Sequence, residues 1–552
     1  MRERWDAANL TQTSPQGFRF VTTPQITISP PISSAREGAI SPLLILAALT
    51  TAVLFLYGYH PFADDAGIYV AGIRKLADPS LYRPDAPFVL ASTRLSAFPH
   101  FLAAIVRYTR APLEYVLLAT HLASIFAFLF ACWTLARRIF ASPAAQWFAV
   151  ALAGTCFTLP IAGTAILIMD PYVTSRSFST PLGLFALAAA IDHGWARVAL
   201  FLVLAALMHP LMTLYAAVFV LLFILIDEGQ TRAALRLSIC GVIAAGGIYL
   251  ATLHLPVSPA YSEAVLSRSY LFPSEWPWFE YLGLAIPLLL YAVASRHLGL
   301  HTLPGKLCLT AVMMGTAAAL SAFLFVHPSG PYFLVRLQPL RSFHILYMLA
   351  VILLGGLAGE LLLNRSPGHP RQQYSRWAAF ALLAAVIVTM LVFQRGRYPF
   401  SAHVEWPGQT PRNPWQQAFL WIRANTPQDA VFAAAPELVF LDGEDSQGFR
   451  ATTGRSLLAD DKDEGLAILY PQLIGPWAAE RNAQSGLDHL SDSERVSRLR
   501  PLGATWLLLS RSAATSLPCP YRNAVAQVCC LRPMRKGAYQ NHLHVTGTSD
   551  PA

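Results

Sequence analysis

The 552-residue sequence is short of charge before anything else: Asp, Glu, Lys and Arg make up 13% of it, against 55% hydrophobic residues. So little charge excludes an ordinary soluble domain, in which about a quarter of the residues are charged. Alternation of polar and apolar residues at period two is also missing, which excludes a transmembrane β-barrel. No Gly-x-x-x-x-Gly-Lys-Ser/Thr loop and no Gly-x-Gly-x-x-Gly loop occurs, so the usual backbone cradles for ATP or NAD phosphates are absent. The chain likewise has no His-Glu-x-x-His and no Cys-x-x-Cys, the common signatures of zinc and dithiol chemistry. Its net charge of +9 has no basic run or aromatic–basic stripe behind it, so nucleic acid is not an expected partner. Cys132, Cys156, Cys240 and Cys308 lie in apolar blocks and read as small core residues. Cys519, Cys529 and Cys530 cluster near the C-terminus, where a disulfide requires an oxidising compartment.

What is present is apolar sequence in repeated blocks of ~17–25 residues, the length that crosses a ~30 Å hydrocarbon core as a helix. The fold class this predicts is a polytopic α-helical membrane protein of about eleven transmembrane helices with a small C-terminal α/β soluble domain. The expected spans are about 39–57, 113–135, 145–168, a short block ending near 192, 195–209, 210–226, 233–254, 279–295, 306–326, 343–363 and 376–394. Residues 1–38 and 545–552 read as disordered tails, being polar and unpatterned. Short basic junctions at Arg137-Arg138, Arg197, Arg232/Arg236, Arg296/Lys306 and Arg365/Arg371/Arg376 alternate with longer loops. The positive-inside rule then places the N-terminus in the cytoplasm and loops 58–112, 169–180, 255–278 and 327–342 outside, together with the C-terminal domain, 395–544. In that domain Pro414–Arg423 has helical spacing, and Ala430–Ala435 and Thr505–Ser510 read as strands.

The unusual polar residues gather on the outer side. Just beyond the first span, His60-Pro-Phe-Ala-Asp-Asp-Ala-Gly-Ile-Tyr69 sets two adjacent carboxylates, Asp64 and Asp65, at the membrane face. Carboxylates there are costly to desolvate, so they are solvated, paired or functional. Residues 66–76 suit a helix lying along the interface. Asp170 with Arg176, His209, Arg268 with Glu275, and Arg336, Arg341 and His344 fall on the same side. Arg336 and Arg341 are five apart around Gln338-Pro339 and need a bend to converge; convergent guanidiniums grip phosphate bidentately. His209-Pro210 reads as a kink with a satisfied histidine. Asp460-Asp461-Lys462-Asp463-Glu464 lacks EF-hand spacing and reads as a solvated acidic loop.

An acidic pair in the first outer loop, many apolar helices, a late outer loop with two arginines and a C-terminal outer domain together resemble the GT-C class of membrane glycosyltransferases. Asn425-Thr-Pro-Gln-Asp-Ala-Val-Phe432, after a Trp-Ile-Arg helix, is similar to the soluble domains of bacterial GT-C-like proteins. The resemblance implies transfer of a sugar from a polyprenyl-phosphate donor to an envelope acceptor at the outer face of a bacterial inner membrane, with the C-terminal domain periplasmic. It implies that Asp64 or Asp65 is the catalytic base, or that the two hold a divalent metal (Mg or Mn), and that Arg336 and Arg341 hold the lipid phosphate. Asp170 is the next carboxylate in rank, and Arg74, Arg176 and His344 are supporting candidates. Chemistry alone ranks Asp64 and Asp65 equally. The alternative reading is a non-enzymatic lipid or glycan transporter, or an assembly partner in envelope polysaccharide synthesis. A transporter of the inverted-repeat kind would show internal repeats and midplane charges, and the sequence has neither.

Overall fold

The computed structural model describes residues 41–363, 370–441 and 443–531; the tails 1–38 and 545–552 and Arg365 lie outside them. The chain opens with α1 (Pro42–Tyr57), then α2 (Asp65–Ala77), α3 (Ala86–Ala91) and α4 (Phe98–Thr109). Next come α5 (Leu113–Ile139), α6 (Pro143–Thr155), α7 (Arg176–Ile191), α8 (Trp195–Met208), α9 (Pro210–Asp227) and α10 (Thr231–Thr252). The short α11 (Pro259–Leu266) precedes α12 (Trp278–Leu298), α13 (Leu303–Phe325), α14 (Phe333–Leu337), α15 (Phe343–Leu363) and α16 (Pro370–Arg397).

Among the described residues seven helical stretches are long and apolar enough to cross a membrane: α5, α9, α10, α12, α13, residues 333–361 and residues 376–397. The apolar helices α1, α7 and α8 are shorter. Proline and its neighbours punctuate this bundle. Pro210 begins α9, and the His209 side chain caps it by accepting the Met212 N–H, so α8 and α9 are separate helices. At Gln338 the backbone turns left-handed, with φ 48°, before Pro339. Residues 333–361 are therefore broken rather than one straight rod.

The structure overturns the expected span 145–168. Helix α6 ends at Thr155, and residues 156–175 fold back on themselves through a bridge between Pro160 and Leu167. Hydropathy registers only that this segment is apolar. Pro160 removes a helical donor, and a Cβ on Gly163 would come 2.4 Å from the Trp276 ring, so close packing against that indole replaces the helix. Irregular backbone among these helices is tolerated because protein buries it: Ile161, Ile166, Ile168 and Met169 are all in the core. The 58–112 segment is likewise not a loop but carries α2, α3 and α4, with Val70, Ile73, Phe98 and Leu102 packed on Leu113 and Leu117 of α5.

Beyond α16 the chain builds a small domain of α17 (Pro414–Asn425), β1 (Val431–Ala434), α18 (Phe449–Thr453), β2 (Ser456–Leu457), α19 (Glu464–Leu469), α20 (Ile474–Gln484), α21 (Asp492–Leu499), β3 (Trp506–Ser510), β4 (Tyr521–Arg522) and β5 (Ala526–Cys530). Its sheet runs β2-β1-β3-β5-β4, parallel on the β2-β1-β3 side and antiparallel on the β3-β5-β4 side. Alternate residues of each strand feed two cores. Phe432, Trp506 and Val528 pack against Trp415, Phe419 and Ile422 of α17, while Val431, Leu507 and Cys529 pack against Leu487 and Leu499. Cys519 and Cys529 form a disulfide; Cys530 is a buried free thiol.

This domain and the chain leading into it are tied to the segment between α1 and α3 by polar contacts. Tyr59 bridges Val404, His60 Nδ1 lies 3.0 Å from Glu405, and the Tyr82 hydroxyl donates to Arg450 O at 2.6 Å. An apolar seam of Val265, Leu466, Ile468 and Trp477 closes the other side.

Candidate functional site

Asp64 stands at the N-cap of α2 with φ 45°, and Asp65 is its first residue, so the positive end of the helix dipole faces the pair. The unusual φ is held by Gln447, whose side-chain oxygen accepts the Asp64 N–H. That contact requires a very close approach: a Cβ at Gly448, φ 80°, would lie 2.5 Å from Phe62 O. Only glycine lets the domain loop come this near.

Both oxygens of Asp64 are occupied. The Lys462 ammonium donates to Oδ1, while Arg397 Nη2 and the Tyr172 hydroxyl each reach Oδ2 at 3.1 Å. Lys462 also bridges to Asp65 Oδ1 at 3.0 Å. Among the described residues no partner engages the second Asp65 oxygen, and the side chain is 42% exposed, toward the cavity described next. Burial works against ionisation of Asp65, yet Lys462 and Arg176 hold its carboxyl well below the usual carboxylate range.

A cavity of about 840 Å³ opens beside the pair. It is lined by Asp64, Asp65, Tyr69, Arg176 and His209 from the first part of the chain, by Arg268, Arg336 and Arg341 from the segments around α11 and α14, and by Arg397, Gln447, Asp461, Lys462 and Glu464. The bend at Gln338 is what brings Arg336 and Arg341 to one cavity from either side of Pro339.

Most of its cations are already matched. Arg268 pairs with Glu464 at 2.5 Å, and Arg481 with Asp461 at 2.8 Å. Arg176 donates to Asp170 at 2.6 Å, both side chains being almost wholly buried. Among the described residues two guanidiniums have no carboxylate: Arg336, which donates to Leu469 O at 2.7 Å, and Arg341, whose buried Nε has no partner. Two uncompensated positive charges facing a cavity of this size suit an anionic ligand.

Several sequence expectations are corrected here. Asp170 does not line the cavity; it sits behind Arg176 and fixes it. Arg74 lies elsewhere, bound to Glu114 at 3.1 Å, and His344 reaches Ile168 O at 2.8 Å outside the cavity wall. Arg268 pairs with Glu464 rather than with Glu275. The solvated acidic loop is neither solvated nor a loop apart: Asp463 and Glu464 are 3% and 4% exposed, and Lys462 reaches the Asp64–Asp65 pair. A run of four carboxylates around one lysine gives no local sign that the lysine reaches Asp64 and Asp65.

A divalent metal at Asp64–Asp65 meets a poor donor set. Among the described residues no three His, Cys, Asp or Glu side chains gather as a metal group, and three of the pair's four oxygens face cations or a hydroxyl.

Residues 413–468 match the model of a domain of unknown function (DUF6798), the stretch that carries Gln447 and Lys462. No curated protein matches the chain. Among solved structures it is similar to the apo oligosaccharyltransferase of Archaeoglobus fulgidus, at 12% identity and a TM-score of 0.44 over 85% of this chain and 69% of that one. The same enzyme in complex with Zn and sulfate gives 12% and 0.44 over 85% and 68%. The archaeal oligosaccharyltransferase AglB from A. fulgidus in complex with an inhibitory peptide and a dolichol-phosphate gives 12% and 0.42 over 85% and 69%.

Proposed function

We propose that the chain is a membrane glycosyltransferase that moves a sugar from a polyprenyl-phosphate carrier to an acceptor hydroxyl at the outer face of a bacterial inner membrane. The observation that carries this reading is one cavity with a free carboxylate oxygen on Asp65 and two unmatched guanidiniums on Arg336 and Arg341. Asp65 takes the acceptor proton as the new oxygen–carbon bond forms at the sugar C1. The carbon–oxygen bond to phosphate breaks, and its electron pair stays on the leaving phosphate oxygen. That group gains a second negative charge, which Arg336 and Arg341 stabilise. Asp64, engaged on both oxygens, positions the cationic partners rather than acting as the base.

The test is a deletion strain complemented with wild-type, Asp65→Asn or Arg341→Met chains at matched membrane levels, with envelope glycans read by mass spectrometry. Loss of a general base lowers the rate by about 10²–10⁴-fold, so Asp65→Asn is expected to abolish the glycan that the wild type restores. Arg341→Met is expected to weaken binding of a fluorescent polyprenyl phosphate to the purified protein in nanodiscs at least tenfold. An unchanged glycan profile with Asp65→Asn refutes the assignment.

A further inference from the structure

A pair of adjacent carboxylates at a phosphate-binding cavity ordinarily calls for a divalent cation, because two negative charges repel each other and the incoming phosphate. Here that demand is met from within the chain. Lys462 touches both carboxylates through one ammonium, the bridging position that a metal would take, and Arg397 adds a second positive charge on Asp64. Two cations against two carboxylates leave the group neutral without a metal. An ammonium has three donors, so it spans two carboxylates with one left for a ligand oxygen.

Lys462 is not a mobile surface lysine. Its side chain is 13% exposed, and its turn is braced on every side. Asp460 Oδ1 accepts the N–H groups of Lys462 and Asp463 at 2.9 and 3.0 Å, and Asp463 Oδ2 accepts the Asp460 N–H at 3.1 Å. Arg450 then grips Asp463 with two nitrogens, at 3.1 and 2.8 Å, and the Trp477 indole donates to Asp460 O at 3.0 Å. A hydrated metal ion would have to displace a side chain only 13% exposed, and it would find only two protein carboxylates to replace its water ligands.

We propose that Lys462 is the built-in cation of this site, holding Asp64 and Asp65 together in place of the divalent metal that is one of the two roles the resemblance implies for the pair, so that the chain is metal-independent. The bearing on transfer rests on the function proposed above; the occupancy of the carboxylate pair does not. Lys462 is a positioning residue for Asp65, and it lines the cavity that would hold the phosphate.

The experiment is a Mn²⁺ titration of the purified full-length protein, followed by electron paramagnetic resonance. Wild-type protein is expected to leave the six-line spectrum of free Mn²⁺ unchanged at stoichiometric concentrations. Lys462→Ala exposes the pair and is expected to bind one Mn²⁺, lost again in Lys462→Ala/Asp64→Asn, while Lys462→Arg behaves as wild type. If transfer is measurable, wild-type activity is expected to survive EDTA, and Lys462→Ala activity to need added Mn²⁺. One Mn²⁺ bound by the wild type and lost in Asp65→Asn overturns the proposal, whether or not the lysine variants fold. A folded Lys462→Ala chain that binds none also overturns it. Mn²⁺ behaviour as expected with no sugar transfer would leave the built-in cation standing and refute the transferase reading instead.

Discussion

Replacing Arg450 by Met tests whether the domain is fastened to the membrane part by charge. The guanidinium of Arg450 donates from Nε to Asp85 at 2.6 Å, from two nitrogens to Asp463, and to Leu457 O at 2.8 Å. The Asp85 and Asp463 side chains are only 6% and 4% exposed. Methionine fills similar space but leaves both carboxylates buried without their cation. Removing one partner of a buried ion pair costs about 3–5 kcal/mol, mostly because the other charge stays behind. Against a usual stability of about 5–15 kcal/mol that is enough to loosen the domain. The assay is denaturant unfolding of the purified protein followed by tryptophan fluorescence. A second substitution supplies the control: Asp463→Asn should be far less harmful in the Arg450→Met background than in the wild type, because it removes a charge that is already stranded. A loss below about 1 kcal/mol for Arg450→Met, or full additivity of the two changes, refutes the argument.

Other outcomes follow from the same geometry. Burial, reinforced by Asp463 and opposed by Arg450, raises Asp460 to about 7. A carboxyl raised on folding holds its proton more tightly in the native state, so its contribution to stability falls as pH rises from about 4 to 7. Asp460→Asn should therefore gain on the wild type across that interval and run parallel to it above; equal slopes in pH-dependent unfolding would contradict this. Cys519 and Cys529 should resist alkylation in protein isolated without reductant and become reactive after it. Cys519→Ser, which opens a loop of sequence separation 10, should lower stability by about 2–3 kcal/mol. Alkylation of both thiols in untreated protein would count against an oxidising location for this domain. Gly448→Ala should detach Gln447 from the Asp64 backbone, since φ 80° and the nearby Phe62 O admit no side chain; proteolysis that speeds up near residue 448 is the readout.

What could be read from the sequence was local. The helix expected over 66–76 appears as α2, because apolar spacing and an acidic start are properties of that stretch alone. The bend at Gln338-Pro339 and the break at His209-Pro210 are likewise written by proline. The fold-back of 156–175 was not legible, since hydropathy counts apolar residues without knowing that Trp276 will occupy the space a helix needs. β5 escaped notice because Ala-Gln-Val-Cys-Cys is short and becomes a strand only beside β3. The role of Lys462 was the least accessible. Its neighbours in sequence are acidic, and Asp64, with which it pairs, is 398 residues away.

That distance has a consequence in time. Asp64 and Asp65 leave the ribosome long before Lys462: at about 5–20 residues per second, 398 residues take about 20–80 s. Through that interval neither carboxylate has its lysine partner. Both carboxylates meet their lysine only when the C-terminal domain has emerged and docked, so a chain cut short before residue 462 would lack the ammonium that joins them.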